Sequence, residues 1–135
     1  MNRIEKAVNL KATGQANCCQ AITSSYADLT NVDEETLNKL SSGFGQGMGC
    51  LESTCGALIG ANIILGLKND SNINTKMMSK ILLKEFELKS GATICKILKG
   101  VDTKQVLTPC NDCVRNAAMA LEKVLKENKL MEDEE

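Results

Sequence analysis

The sequence has no histidine, no tryptophan and a single proline, and its aromatic residues are one tyrosine and two phenylalanines. Each absence removes a class of chemistry. Without an imidazole there is no Ser-His or Cys-His nucleophile pair, no His-ligated haem and no Cys₂His₂ zinc finger. Polar chemistry must therefore rest on thiols, carboxylates, amines and backbone. Charge of one sign is also lacking: 16 basic and 17 acidic residues leave a net charge of −1. No broad positive field is available for a nucleic-acid backbone or an anionic membrane, so neither is expected as a partner. The most apolar stretch, 55–67, is too short to span a bilayer, which takes about 20 residues per helix, so no membrane insertion is expected. The amino-terminal Met-Asn-Arg-Ile-Glu-Lys has charges and no apolar run, unlike a secretory signal, which points to the cytoplasm.

Cysteine is what the chain has in excess. Seven cysteines in 135 residues fall below the roughly 8–10% of small secreted disulfide scaffolds. In a reducing compartment such enrichment points to metal binding or redox work before structural disulfides. The length fits one domain, read as residues 1–128, with 129–135 as an acidic, frayed tail.

Alternation of apolar and polar residues is rare, and helical spacing dominates. Segments are expected from Ile4 to a stop near Gly14, from Cys18 to Leu29, from about Glu34 with Leu37 and Leu40 to Gly43, and from Cys55 to Leu65 behind a Ser53 cap. Further segments run from Asn74 or Thr75 to Ser90, from Ile94 to Lys99, and from Thr108-Pro109 through Leu125. This predicts an all-α bundle of about six helices, with Met77 and Met78 in the core rather than serving as soft metal ligands. Between Gly43 and Gly49 glycine holds every second position, which no stable helix would choose. The spacing is not GxGxxG after a strand, so a nucleotide fingerprint is not indicated. A backbone-determined loop is expected, leading into a central helix on which Gly56 and Gly60 let a neighbour approach closely.

Placed on these helices, Cys18, Cys55, Cys95 and Cys110 all fall in a first turn, where free N–H groups and the positive helix end favour a thiolate. Cys19 reads as core. Cys50, beside the glycine loop, and Cys113, one turn after Cys110, read as helpers. Pairing Cys50-x₄-Cys55 with Cys110-x₂-Cys113 only loosely resembles a split zinc site. The Cys110-Asn-Asp-Cys113 pair lacks both the histidine of a haem attachment motif and the βαβ setting of a thioredoxin fold.

The order Asn17-Cys18, Gly43-Phe-Gly-x-Gly-Met-Gly, Cys55-Gly-Ala-x-x-Gly60-Ala61, Cys95 and Pro109-Cys110 resembles the C_GCAxxG_C_C family of small redox-active bacterial and archaeal proteins. The resemblance runs from about Gly14 to Val124. It implies that Cys18, Cys55, Cys95 and Cys110 are the characteristic thiols, and family members are often encoded near transporters. A similar four-cysteine region in split-Soret cytochromes is associated with an iron–sulfur cluster, which makes a [2Fe–2S] centre on these four cysteines the first expectation. Gly45, Gly47 and Gly49 would then offer N–H donors to its sulfurs. The second expectation is a thiol–disulfide switch with Cys55 activated and Cys50 or Cys110 as partner. The third is a non-catalytic helical interaction protein, serving a transporter or forming a homodimer, whose cysteines merely pack.

Overall fold

The computed structural model describes residues 1–69 and 73–132. Among these, the protein is all-α: α1 (Arg3–Ala12), α2 (Cys18–Ser25), α3 (Glu34–Ser41), α4 (Gly56–Lys68), α5 (Thr75–Ser90), α6 (Cys95–Lys99) and α7 (Cys110–Glu127). A 3₁₀ turn, Ala27–Leu29, follows α2, and a π-type turn, Gly47–Leu51, precedes α4. No helix among the described residues is long and apolar enough to cross a membrane. Of the tail, 133–135 lies outside the described residues, while Leu130 and Met131 pack on the core.

Local signals explain the helix starts. Asn2 accepts from the Glu5 N–H (2.8 Å) at α1, and Asp33 accepts from the Thr36 N–H (3.0 Å) at α3. At α2, Asn17 and Gln20 cap each other's backbone in a reciprocal box. The Asn17 amide also donates to the Ser42 carbonyl (3.2 Å), which ties the start of α2 to the end of α3.

The core is built on α2 and α4, flanked by α1, α5 and α7. α2 is buried on nearly every side, including Thr23 and Ser24, whose hydroxyls are satisfied by Ser41 (3.0 Å) and Asn38 (2.5 Å). The apolar stripe of α7, namely Val114, Ala117, Ala118, Leu121, Val124 and Leu125, is buried as its spacing predicts. The close approach expected at Gly56 and Gly60 is present. A Cβ at Gly56 would lie 2.5 Å from the Phe44 carbonyl oxygen, and one at Gly60 2.8 Å from the Cys19 carbonyl oxygen. Gly60→Ala is therefore expected to cost about 1–3 kcal/mol through overpacking, outweighing a helix-propensity gain of up to about 1 kcal/mol. Urea denaturation measures it, and a neutral result would mean that α2 and α4 can part without loss.

Several expectations are corrected. The segment expected from Cys18 to Leu29 breaks at Tyr26 (φ −110°, ψ 6°), a buried residue whose hydroxyl donates to Glu122 of α7. Ser53 does not cap α4: its carbonyl accepts from the Cys95 N–H (3.0 Å), and the chain stays extended through Cys55. Met77 is 63% exposed rather than core, because α5 turns Met78, Leu82, Phe86 and Ser90 inward, and Leu40 is 51% exposed. The glycine segment is a loop as expected, but Gln46 and Met48 adopt left-handed conformations (φ 51° and 62°) alongside its glycines.

Candidate functional site

The chain on either side of α4 and α6 brings their starts together. Thr54 and Ile94 form an isolated antiparallel bridge, in which the Cys55 N–H donates to the Thr93 carbonyl (2.8 Å) and the Cys95 N–H to the Ser53 carbonyl (3.0 Å). Cys55 and Cys95 are thus fixed side by side by backbone rather than by capping side chains. The start of α7 is held from two other elements. Leu107 and Thr108 donate their N–H groups to the Leu98 carbonyl of α6 (3.0 and 3.1 Å), and the Thr108 hydroxyl donates to the Ser90 carbonyl of α5 (2.7 Å).

These constraints direct four helix N-termini at one small pocket, lined by Cys18, Cys55, Cys95, Cys110 and Cys113 together with Gln46 and Lys99. Its free space of about 10 Å³ admits at most one water molecule. The four cysteines selected by helix position therefore meet, and Cys113 joins them. Cys50 does not: it is exposed, with its thiol 3.6 Å from the Gly47 carbonyl. Cys19 is fully buried beneath α4. Of the loop glycines, Gly45 abuts Asn17 and Gly47 abuts the Cys95 side chain. The Gly49 N–H donates to the Gly45 carbonyl (3.0 Å).

Electrostatics separate the pocket thiols. Cys55 occupies the N-cap position of α4, where Ser or Asp would ordinarily sit. Against burial, the neighbouring Cys113 thiol first, then the Ala57 and Leu58 amides at the start of α4 and the Lys99 ammonium, bring Cys55 down to about 7. Cys113 is pushed far above the ordinary thiol range, first by the Cys55 sulfur beside it and then by burial. Its S–H donates to the Thr108 carbonyl, 3.6 Å away. Burial pushes Cys18 up to about 11 and also raises Cys95. Cys55 is thus the pocket thiol drawn toward the thiolate form.

The family described as "Putative redox-active protein (C_GCAxxG_C_C)" matches residues 16–124. The chain belongs to this family. Comparison with curated proteins and with solved structures gives no match. The C_GCAxxG_C_C match runs from just before Cys18 to just short of the end of α7, so every cysteine of the pocket lies within it. Sequence reasoning ranked Cys113 only as a helper and passed over Lys99. Both carried a signal: Cys113 is three residues after Cys110, and Lys99 four after Cys95, spacings that place side chains on one helix face.

Proposed function

We propose that this C_GCAxxG_C_C member is a dithiol–disulfide redox protein whose reacting couple is Cys55 and Cys113. The observation that carries this reading is placement: Cys55 and Cys113 are both buried and line one pocket whose free space is only about 10 Å³. Oxidation by a disulfide-bearing partner closes the Cys55–Cys113 S–S bond and leaves that partner as two thiols; reduction by a dithiol reverses it. Oxidant and reductant therefore both come from thiol chemistry. The helix amides at Cys55 stabilise the sulfur that departs when the bond is reduced.

Peptide mapping after mild oxidation with a small disulfide tests this. The expected major linkage is Cys55–Cys113, lost in Cys55→Ser and Cys113→Ser. A different dominant linkage, or seven free thiols, would overturn it, the latter agreeing with cysteines that only pack.

A second reading is favoured by a separate observation: Cys18, Cys55, Cys95 and Cys110 sit at four helix starts and line one pocket. Thiolate donors suit an iron–sulfur cluster, and converging helix N-termini would offset its negative charge. Among the described residues no group of three or more cysteines or carboxylates is arranged to hold a single metal ion, while the four pocket thiols suit a cluster in their chemistry. Such a cluster would be a [2Fe–2S] centre supplying one-electron storage. Anaerobic reconstitution with iron and sulfide separates the readings. A coloured protein with stoichiometric iron and sulfide, lost when Cys18 or Cys95 is replaced by Ser, supports the cluster; a colourless, iron-free one leaves the disulfide couple.

A further inference from the structure

The reacting couple is closed to solvent. Cys55 is 4% exposed and Cys113 1%, while Cys18 and Cys95 are also buried. No external thiol reaches either sulfur of a Cys55–Cys113 bond without opening the fold. Of the pocket cysteines, Cys110 alone is half-exposed, and it is bordered by the exposed Pro109, Asn111 and Asp112. It shares the pocket with the couple, and the first turn of α7 carries both Cys110 and Cys113. Residues three apart on a helix have Cα atoms about 5 Å from each other, inside the roughly 4.4–6.8 Å range that a disulfide spans.

We propose that Cys110 is the exchange thiol that carries electrons between the surface and the buried Cys55–Cys113 couple. The proposal rests on the reading of that couple as the redox centre. Reduction proceeds in three exchanges. The Cys110 thiolate attacks the Cys113 sulfur, the Cys55–Cys113 bond breaks, a Cys110–Cys113 bond forms, and Cys55 leaves as a thiolate at the positive end of α4. A thiolate of an external dithiol then attacks Cys110 at the surface. This breaks the Cys110–Cys113 bond and releases Cys113, which takes up a proton. Finally the second thiol of the external reductant attacks its own sulfur in the mixed disulfide and frees Cys110. The reductant ends as a disulfide and the protein as thiols, so two electrons have moved; oxidation runs the same steps backwards with an external disulfide. The spacing Cys110-x₂-Cys113 thereby acquires a purpose, since Cys113 is the sulfur common to both bonds.

The test uses the full chain, oxidised with a small disulfide and then reduced by dithiothreitol under acid quench, with each linkage followed by differential alkylation and mass spectrometry. In the native chain a Cys110–Cys113 linkage with free Cys55 is expected to appear and then decay as Cys55–Cys113 disappears. In Cys110→Ser and Cys110→Ala the Cys55–Cys113 linkage is expected to form only on prolonged oxidation and, once formed, to be reduced at least about tenfold more slowly. If that linkage is present and the variants are reduced at the native rate, or no Cys110–Cys113 species arises in the native chain, the relay is overturned while the couple stands. If the Cys55–Cys113 linkage is absent even from the native chain, the reading of the couple has failed, and the relay with it. The native-chain arm decides the matter even if both Cys110 variants fold poorly.

Discussion

Cys113→Ala is expected to shift the ionisation of Cys55 upward by one to two pH units. Thiolate absorbance in the ultraviolet, followed across a pH titration of the reduced chain, measures it. Cys113 is the largest influence holding Cys55 at about 7, and burial, which opposes it, stays when that thiol is removed. A thiol with a midpoint of 7 is about half ionised at pH 7, whereas one near 8 is about 10% and one near 9 about 1% ionised, so the thiolate population falls roughly five- to fiftyfold. Cys55→Ser should abolish the step altogether. If the step survives Cys55→Ser, the thiolate resides elsewhere; if Cys113→Ala leaves it unmoved, the amides and Lys99 suffice and Cys113 contributes little.

The sign of the pH dependence of stability follows from the same pair. Cys55 is depressed in the folded state, so its contribution is present above the ordinary thiol range and is lost as pH falls through about 7. Cys113 is raised, so its contribution is fully present below the ordinary thiol range and is lost as pH rises above it. The pair therefore favours the form with one proton, placed on Cys113 because the amides at the start of α4 point to Cys55. Two buried thiols lining one small pocket, one of them drawn toward the thiolate, are one S–S bond away from a disulfide, and this placement, rather than the number of cysteines, supports a two-electron reading.

The sequence was most legible where one residue decides the outcome locally. Asn17 capped α2, Gly91 and Gly100 ended α5 and α6 in left-handed conformations, and the helical position of Cys18, Cys95 and Cys110 followed from such punctuation. It was least legible where pairing between distant segments takes over. Ser53 looks like a helix cap from its neighbours, yet its carbonyl serves Cys95, some forty residues away, and Cys55 is left to take the cap position itself. Met77 and Met78 are adjacent and chemically identical, so only the packed face of α5 distinguishes them. The rank order of thiols was hidden for a related reason: helix starts predict activation for four cysteines alike, but burial raises Cys18 and Cys95. Cys55, by contrast, is brought down against its burial, with Cys113 of α7 as the largest influence.

Gly100→Ala carries the largest expected stability loss. Gly100 has φ +69°, and a Cβ there would lie 1.9 Å from the Gln105 carbonyl oxygen and 2.9 Å from the Val106 nitrogen, backbone atoms with no rotamer to yield. The left-handed conformation costs a non-glycine residue roughly 1–2 kcal/mol and overpacking roughly 1–3 kcal/mol, so a loss of about 2–5 kcal/mol is expected out of a typical total of about 5–15 kcal/mol. Gly66→Ala is the control, because nothing lies within 4 Å of its added Cβ and the helix gains up to about 1 kcal/mol. The same substitution also tests how the site is positioned. Gly100 turns the chain so that Lys104 donates to its carbonyl (2.7 Å) and Leu107 and Thr108 return to the Leu98 carbonyl, which delivers Cys110 and Cys113 to the pocket. Displacing residues 105 and 106 should draw Cys113 away from Cys55, so folded Gly100→Ala is expected to show a raised thiolate midpoint as well as a lower urea midpoint. A destabilised variant whose ionisation still centres near 7 would mean that α7 is placed by its packing on α1, α4 and α5 alone, and that the turn at Gly100 serves only the fold.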